Sequence, residues 1–494
     1  MMNMKNTYFY WMILSLFVTV DCFAGTASVA GEETLTIKDA VECFEQGAKA
    51  SRYDISVVNL RGSWYEMGRQ YGVLMKGELE DVHQFIHNLI DNGSVDPELV
   101  EAVVDVQERQ TPYRILQFMR GASETSGFTM REMQEMNAVE RISGLPRCSA
   151  AFCWDDYAAG PLIVGRNYDY GIAFSELKDD VAVTVYHPND GSLAVATIGY
   201  VGEIYAVNAL NEKGIFLELN NGSPATRINS PVARITGTTM LFAALFETDD
   251  LLDWELFFNT TACSSSYIIN LADSQRAVSY EWCPIDAKRG DGMLPEGLMV
   301  STNYYVNPEW LFVQPSDAQC WNGITRRNNL INLCEASKGA IDVQKMKEII
   351  GTKMEEGGAM NAMTVYQMVV TPETKSLWLR VTGGEESWLQ IDLSGFLLGG
   401  GTTDIAKVTS RQSTALTIRP AKEGQVRLSF NQAPRKAMKV TVFSVSGTKL
   451  CQQTLSPTGA TTYTLDVPQA QKGVHIVRVN SQEAGLSGSQ IICW

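Results

Sequence analysis

The sequence predicts an α+β protein in which antiparallel sheets are covered by helices and a small β-sandwich follows. Three observations support this prediction. Apolar side chains recur at helical spacing between Tyr65 and Ile90, and further helical stretches continue to residue 139. From about residue 148 to 398, short alternating apolar runs are joined by turns that contain Gly, Asn and Pro, a pattern typical of hairpins. The last 90 residues or so contain short strand-like runs typical of a sandwich.

Changes of composition divide the 494 residues into five segments. Residues 1–24 resemble a secretory signal peptide, with the basic Lys5 before an apolar run. Residues 25–147 are predicted to be mostly helical, with a first short helix near residues 38–49. Residues 148–398 form the mixed core, 399–404 a glycine-rich linker and 405–494 the sandwich. Cys22 leaves a lipid-modified cysteine open as an alternative, although Asp21 fits such a site poorly.

Composition limits the partners that we expect. Forty Lys and Arg against 56 Asp and Glu give a net charge of −16, which argues against nucleic acid or an anionic membrane as a partner. No long apolar run follows the signal segment, so we expect an exported protein that is periplasmic, at the cell surface or extracellular. The ten cysteines show neither a Cys-x-x-Cys pair nor zinc-finger spacing, and no metal or cofactor is predicted. Export permits disulfides, but the sequence does not indicate which pairs form.

The stretch from Arg147 to Gly171 contains the candidate nucleophile, Cys148. Read as a hairpin, it returns the chain so that Arg166 and Asp169 lie near Cys148. A nearby guanidinium favours the thiolate, which is the reactive form of cysteine. The alternative is that Cys148 is a buried strand residue or is bridged to another cysteine, Cys153.

Histidine is poorly supplied as a general base for this thiol, because the chain has four: His83, His87, His187 and His475. The first two are four residues apart on a predicted helix without a third ligand, which indicates an exposed helix face rather than zinc. Cleavage of the bond between Arg147 and Cys148 would instead free an α-amine, whose pKa of roughly 7.7–8.0 suits a general base.

Several motifs resemble one family, the N-terminal nucleophile (Ntn) cysteine hydrolases of the acyl-coenzyme A:6-aminopenicillanic acid acyltransferase type. Acid ceramidase, N-acylethanolamine acid amidase and the bile salt hydrolases are related to it. The resemblance covers about Ile55 to Val381 and rests on Cys148-Ser149 followed by "GRNYDYG", and on the stretches "LRGSWYEMGRQYG", "GYVGEIYAVNALNEKGIFLELNN", "STNYYVNPEW" and "ITRRNNL".

The resemblance implies a four-layer αββα core in which residues 25–147 are a pro-segment that stays associated after autocatalytic cleavage before Cys148. It implies that Asp169 contacts the new α-amine, Arg166 steadies the site, Asn303 donates to the oxyanion and Arg326, rather than Arg327, completes the network. Substrate-facing positions would be Asn220, Asn221, Tyr168 and Tyr304, although core packing explains the tyrosines equally well. Arg166 and Asp169 could also form a surface ion pair, Asn303 a strand-end turn, and Arg326 a solvated helix charge.

The implied function is a secreted amidase that hydrolyses the C–N bond of a linear non-peptide amide, an N-acyl amine or N-acyl amino acid, through a cysteine thioester. Acyl transfer to a second amine, a dipeptidase-like activity and a non-catalytic surface-binding protein remain alternatives. Arg147 stands where the penicillin-type relatives have Gly, so an outside trypsin-like protease could also open the chain. "VTVFSVSGTKL" and "GVHIVRV" near the end resemble the sorting domains of type IX secretion, and an ordinary accessory β domain is the alternative.

Overall fold

The computed structural model describes residues 33–138, 147–228, 236–291, 293–383, 387–398, 416–422, 424–444, 449–467, 474–481 and 488–493. The predicted signal peptide, 1–24, and the predicted linker, 399–404, lie outside the described residues. Within the described part of the chain, no helix has both the length and the apolar composition needed to cross a membrane.

The described residues before Cys148 form strands as well as helices. Their bounds are β1 (Thr34–Leu35), β2 (Glu42–Phe44), β3 (Gly47–Arg52), β4 (Ile55–Gly62), α1 (Trp64–Leu74), α2 (Lys76–Asp91), α3 (Pro97–Gln110), α4 (Tyr113–Ser126) and α5 (Met130–Met136). The predicted short helix near residues 38–49 is wrong: after a 3₁₀ turn the chain forms the β2–β3 hairpin. Glu45 in this turn has a φ of 53°, which a helix does not accommodate, and β3 pairs with β4.

The predicted helix from Tyr65 to Ile90 is two helices. Ser63 and Glu66 form a capping box at the start of α1, each side chain accepting a hydrogen bond from the other residue's backbone N–H. Met75, with φ −114° and ψ 23°, lies between α1 and α2. Both helices keep an apolar face on the core, so the predicted helical periodicity is confirmed. The prediction of one continuous helix is wrong, because the helix is interrupted at Met75.

The middle of the chain alternates hairpins and helices. Its strands are β5 (Ser149–Cys153), β6 (Ile163–Asp169), β7 (Val181–Pro188), β8 (Val195–Tyr200), β9 (Asn208–Asn211), β10 (Phe216–Asn221), β11 (Tyr267–Ala272), β12 (Ala277–Trp282), β13 (Ala287–Arg289), β14 (Leu298–Ser301), β15 (Thr364–Thr371), β16 (Ser376–Val381) and β17 (Leu389–Asp392). Its helices are α6 (Ser223–Thr226), α7 (Gly237–Leu245), α8 (Leu251–Thr260), α9 (Gly323–Ala336), α10 (Val343–Gly351) and α11 (Leu393–Leu398).

These strands form two sheets. The seven-stranded sheet has the order β1-β17-β16-β15-β6-β5-β14, and the ten-stranded sheet the order β13-β12-β11-β10-β9-β8-β7-β4-β3-β2. Neighbours are antiparallel except β1 with β17 and β4 with β7, which are parallel. Because β1 pairs with β17 and β4 lies between β3 and β7, the chain before Cys148 is built into both sheets.

The two sheets and their helices form four layers, as predicted. One face of the seven-stranded sheet packs on α9 and α10, with Ala151 and Val369 of the sheet in one apolar cluster with Leu330 and Ile350 of the helices. Its other face shares a core with the ten-stranded sheet. Helices α1, α7 and α8 contact β4, β9 and β12 of the ten-stranded sheet. This αββα arrangement buries both faces of both sheets.

The C-terminal strands form a two-layer sandwich, as predicted. Their bounds are β18 (Leu416–Lys422), β19 (Gln425–Phe430), β20 (Met438–Ser444), β21 (Lys449–Leu455), β22 (Thr462–Asp466), β23 (Val474–Ser481) and β24 (Gly488–Cys493). A three-stranded sheet, β18-β19-β22, and a four-stranded sheet, β21-β20-β23-β24, share one apolar core that includes Val426 and Leu428 on one side and Val440 and Val477 on the other.

Helices α1 and α4 pack closely because glycines lie where they cross. A Cβ built on Gly68 would lie 2.0 Å from the carbonyl oxygen of Phe118, and one built on Gly121 would lie 2.1 Å from the carbonyl oxygen of Tyr65. Both atoms that would be struck are backbone, so the helices themselves would have to separate. Gly68 and Gly121 therefore fix the distance between these two helices.

We expect Gly68→Ala to lower the free energy of unfolding by about 2–3 kcal/mol, because an added methyl group overpacks the α1–α4 contact. Gly77→Ala, on the exposed side of α2 with nothing within 4 Å of its Cβ, is the matched control. It should be neutral or stabilising by about 0.5–1 kcal/mol, because Ala favours helix over Gly. Denaturant unfolding of both variants is the measurement, and equal effects would contradict the glycine-dependent crossing.

Candidate active site

The β5–β6 hairpin brings Cys148 next to Asp169. Ser149 pairs with Asn167 across the hairpin, so the residues before β5 meet the end of β6. The backbone N–H of Arg147 donates to the carbonyl oxygen of Asp169 at 2.7 Å, and the Cys148 Sγ lies 3.9 Å from the same oxygen. Cys148 is fully buried. The proximity expected from the hairpin is therefore present.

Alternation along β5 separates Cys148 from Cys153. Cys148 and Phe152 belong to the core between the two sheets, whereas Ala151 and Cys153 belong to the cluster beneath the helices. Successive side chains of a strand point to opposite faces. A bridge between Cys148 and Cys153 is thereby ruled out, and Cys148 is a free thiol.

The Asp169 side chain is buried, and both of its carboxylate oxygens accept hydrogen bonds. Its Oδ1 accepts a hydrogen bond from Thr364 Oγ1 at 2.7 Å, and its Oδ2 accepts one from Asn361 Nδ2 at 2.9 Å. Arg326 Nη1 approaches Oδ2 to 3.4 Å, with both side chains 1% exposed. Two hydrogen bonds and one cation thus compensate the buried carboxyl group.

Arg326 joins the parts of the site. Its Nη1 donates to the carbonyl oxygen of Cys148 at 3.1 Å, and its Nη2 donates to Asn303 Oδ1 at 2.8 Å. Its Nε donates to the Trp321 carbonyl oxygen at 3.2 Å. The next residue, Arg327, donates instead to the Val300 carbonyl oxygen at 3.1 Å, outside this network. Arg326 is therefore buried and bonded, not a solvated helix charge.

The start of α9 fixes where Arg326 lies. The carboxylate of Asp317 accepts hydrogen bonds from the N–H groups of Ile324 and Thr325, at 2.9 and 3.1 Å, in the first turn of the helix. An acidic side chain satisfies the open N–H groups of a helix start. Arg326 is the fourth residue of α9, so this cap sets its height above β5.

Asn303 follows strand β14 and is fully buried. Its Nδ2 donates to the carbonyl oxygen of Asn221 at 3.1 Å, and its Oδ1 receives the hydrogen bond from Arg326. The side chain of Asn221 turns away from this contact and accepts from the Ser223 N–H at 2.9 Å. Asn303 is thus held at both ends and is not a solvent-exposed turn residue.

Arg166 pairs with a residue that the sequence interpretation missed, Glu218. The two side chains form an ion pair and both are 0% exposed. Arg166 also donates to Asn220 Oδ1 at 2.9 Å and to the Leu219 carbonyl oxygen at 2.5 Å. Arg166 belongs to β6 and its partners to β10, so this pairing ties the two sheets together beside Cys148. A surface ion pair between Arg166 and Asp169 is excluded.

Burial dominates the electrostatics of the thiol. It raises the pKa of Cys148 to about 11, although Arg166 and Arg326 act in the opposite direction. Burial also raises the pKa of Asp169, against the opposing effect of Arg326. The guanidinium groups were expected to favour the thiolate; in the uncut chain they do not overcome the loss of water. Cys148 is therefore a neutral thiol at neutral pH.

A cavity of about 610 Å³ adjoins this network. Asp169 and Arg326 line it, together with Arg147, whose guanidinium lies 4.8 Å from the centre of the Trp321 ring. The remaining wall is rich in methionine and consists of Asn322, Lys353, Met354, Glu355, Met360, Asn361, Ala362 and Met363. The residue before the proposed cleavage point thus occupies a largely apolar cleft.

The four residues expected to face substrate do not line this cavity. Asn220 lies between Arg166 and Ser301, whose hydroxyl accepts from its Nδ2 at 2.9 Å. Tyr168 is fully buried and its ring is stacked on Tyr366 with centroids 4.4 Å apart. Burial raises the pKa of Tyr304, and Arg327 beside it acts in the opposite direction. Core packing, the alternative stated for the tyrosines, accounts for Tyr168.

Three contributors were not found from the sequence: Glu218, Asn361 and Thr364. The sequence does contain an indication of Glu218, because it is the one acidic residue in the apolar run "GIFLELNN". A carboxylate there requires a buried partner. Asn361 and Thr364 stand in "MNAMT", where nothing in the sequence relates them to Asp169.

The described histidines are remote from this chemistry. No described histidine hydrogen-bonds to Cys148. Among the described residues, no group of three or more His, Cys, Asp or Glu could hold a metal ion. The Nε2 atoms of His83 and His87 lie 3.0 Å apart. His187 is half-buried, its Nε2 lies 2.8 Å from Asn59 Oδ1, and burial lowers its pKa to about 4.

Comparison with known proteins gives a match at the C-terminus. Residues 420–493 match the family model described as "Secretion system C-terminal sorting domain". These residues lie within the sandwich, so the resemblance drawn from its sequence is confirmed. Among curated proteins, none matches the chain.

Three solved structures are similar to about half of this chain. An N-acylethanolamine-hydrolyzing acid amidase ortholog from Caenorhabditis elegans is 17% identical with a TM-score of 0.34, over 46% of this chain and 93% of that one. A mutant of the conjugated bile acid hydrolase from Clostridium perfringens is 12% identical with a TM-score of 0.35, over 51% and 95%. Penicillin V acylase from Agrobacterium tumefaciens is 8% identical with a TM-score of 0.30, over 50% and 86%.

The raised pKa of Cys148 predicts slow alkylation in the uncut chain. With a pKa near 11 instead of 9, the thiolate fraction at pH 8 is about a hundredfold lower. We expect the iodoacetamide rate at Cys148 to fall at least that far below the rate at exposed Cys43, and to rise with pH up to about 11. Peptide mass spectrometry of the full-length fraction measures both rates. Equal rates at pH 8 would contradict the buried neutral thiol.

Proposed function

We propose that this protein is an exported Ntn cysteine amidase. Cys148 becomes the N-terminal residue and nucleophile, and it hydrolyses the C–N bond of a linear non-peptide amide, an N-acyl amine or N-acyl amino acid. The observation that carries the proposal is one buried free thiol inside a closed network with Asp169, Asn303 and Arg326, next to a cleft.

Cleavage supplies what the uncut site lacks. A neutral thiol with its pKa near 11 needs a base, and no described histidine is bonded to it. In the proposed step the Cys148 sulfur attacks the Arg147 carbonyl carbon and the thiol proton passes to the Cys148 nitrogen. The peptide C–N bond then breaks, which leaves a free Cys148 α-amine and a thioester between the Arg147 carbonyl and the sulfur. Water releases the acyl group from sulfur. The new amine lies next to the thiol and near Asp169, and it can accept the thiol proton in later turnovers.

The same geometry serves amide hydrolysis. The thiolate attacks the substrate carbonyl, Asn303 Nδ2 turns from the Asn221 carbonyl to the oxyanion, and the α-ammonium protonates the leaving amine. Arg326 holds Asn303 by its Oδ1, so the amide N–H₂ is directed away from the guanidinium. Such oxyanion donors contribute about 3–4 kcal/mol to acyl transfer. Water then hydrolyses the thioester, and no metal or cofactor takes part in these steps.

The position of Arg147 indicates where the acyl group of a substrate would bind. In self-cleavage the Arg147 carbonyl stands where the substrate carbonyl will stand, so the cleft around the Arg147 side chain receives the acyl group afterwards. Trp321, Met354 and Met363 line that cleft. An apolar or aromatic acyl chain matches this wall.

The proposed organisation follows the segments predicted from sequence. Residues 1–24 direct export, 25–147 are the pro-segment, 148–398 the catalytic core and 405–494 the sorting domain. The pro-segment stays bound after cleavage, because β4 lies inside the ten-stranded sheet and β1 pairs with β17. The match of residues 420–493 to a sorting domain supports delivery to the cell surface or beyond.

Cleavage before Cys148 is the first test. We expect purified wild-type protein to contain a chain that starts at Cys148, and Cys148→Ala to remain full length, because the sulfur is the attacking atom. Intact-mass and N-terminal analysis measure this. A cut before Cys148 in the alanine variant would indicate an outside protease. An uncut wild-type chain that still hydrolyses N-acyl amines would overturn the Ntn mechanism.

The role of Arg326 is the second test. Arg326→Ala should lower kcat/KM for an N-acyl amine panel by about 10²–10³-fold, because Asn303 and Asp169 lose the cation that orients them. Arg327→Ala is the matched control, one residue along α9, and should stay within about threefold of wild type. Circular dichroism of both variants checks that they fold. Equal losses in both would place the effect in the helix rather than in the network.

A further inference from the structure

Two buried cysteines outside the proposed chemistry lie in contact. The Sγ atoms of Cys153 and Cys334 are 3.8 Å apart, and both side chains are 0% exposed. They belong to the apolar cluster between the seven-stranded sheet and α9 and α10, with Ile163 and Leu330.

The positions of these cysteines connect the two elements that build the site. Cys153 is the last residue of β5, the strand that follows Cys148. Cys334 lies on α9, the helix that carries Arg326. The hydrogen bond from Arg326 to the Cys148 carbonyl oxygen, 3.1 Å long, spans the same two elements. A link between the cysteines would therefore hold the helix of Arg326 against the strand of the nucleophile.

We propose that Cys153 and Cys334 form a disulfide during export, which pins α9 to β5. Two S–H bonds break and one S–S bond forms. The two electrons and two protons pass to the disulfide of a thiol–disulfide oxidoreductase in the export compartment, which leaves as a dithiol. The proposal rests on the exported location in the proposed function, since such a compartment is oxidising.

The geometry allows this bond with small movements. A disulfide has an S–S distance of about 2.05 Å, so the two sulfurs need to approach by less than about 2 Å. Rotation of the two side chains within the cluster can supply this. The apolar neighbours of the two sulfurs include Ile163 and Leu330 of the same cluster.

The burial of Cys153 and Cys334 determines when their thiols can be oxidised. Both thiols are closed off in the folded protein, so an oxidoreductase reaches them only before the α9–β5 contact has packed. The residues are 181 positions apart, and a cross-link across so long a loop removes much of the freedom of the unfolded chain. We therefore expect the bond to affect resistance to unfolding and not the chemistry at Cys148.

The first experiment maps the thiols of full-length protein secreted without reductant. The protein is denatured in excess alkylating agent, digested and analysed by mass spectrometry. We expect the Cys153 and Cys334 peptides as one cross-linked species that separates on reduction, while Cys148 and Cys43 are alkylated. Alkylation of both Cys153 and Cys334 would overturn the proposal.

The second experiment is a double-mutant cycle of thermal stability. Cys153→Ala and Cys334→Ala should each lower the Tm by about 5 °C or more, and the double variant should fall no further than the single ones. Reductant should lower the wild-type Tm and leave the variants unchanged. Cys263→Ala is the control: it removes another buried cysteine, whose Sγ lies 2.8 Å from the Ser265 carbonyl oxygen, and keeps Cys153 and Cys334, so reductant should lower its Tm as it lowers that of the wild type. Additive losses insensitive to reductant would indicate two cavities and no bond.

The two proposals fail in different ways. Cross-linked cysteines in a chain that is neither cut before Cys148 nor active would contradict the amidase proposal and support the disulfide proposal. An active enzyme cut before Cys148, with Cys153 and Cys334 both alkylated, would sink the disulfide and leave the amidase.

Discussion

The site depends on a balance of buried charge between the two sheets. Arg166 and Arg326 supply two guanidinium groups, and Glu218 and Asp169 supply two carboxyl groups, all at most 1% exposed. Buried charges persist only when they are paired, because each loses its hydration. In this balanced set a thiolate would add an uncompensated negative charge. Burial, which costs a thiolate its hydration, raises the pKa of Cys148 to about 11, and the two arginines do not overcome this effect.

The same balance of buried charge explains what the proposed cleavage would change at Cys148. An α-amine created beside the thiol can take its proton, and the resulting thiolate and ammonium add no net charge to the buried set. In the proposed precursor the thiol is neutral and reacts with the adjacent Arg147 carbonyl alone, and it can attack a substrate once the Arg147–Cys148 bond is broken. Arg147, with its side chain against Trp321, lines the cleft in the uncut chain.

The architecture explains why a cut chain could remain one molecule. The segment before Cys148 supplies strands to both sheets and, through Gly68 and Gly121, a close pair of helices. Separating it would expose the faces of both sheets. On the opposite side, α9 and α10 cover the seven-stranded sheet, and Arg326 and Cys334 both extend from α9 toward β5.

The sequence by itself determined the features that depend on local pattern. Hairpin periodicity predicted that Cys148, Arg166 and Asp169 would lie together, and helical periodicity predicted the apolar faces of α1 and α2. Short alternating runs predicted the terminal sandwich, and the family resemblance implied the four layers. Only the tertiary structure decided the pairings: Glu218 with Arg166, Asn361 and Thr364 with Asp169, and Cys153 with Cys334. Local pattern could not assign these pairs because their members are between 52 and 195 residues apart and meet only when the two sheets and α9 pack. It also could not predict the pKa of Cys148, which follows from burial and not from its neighbours in sequence.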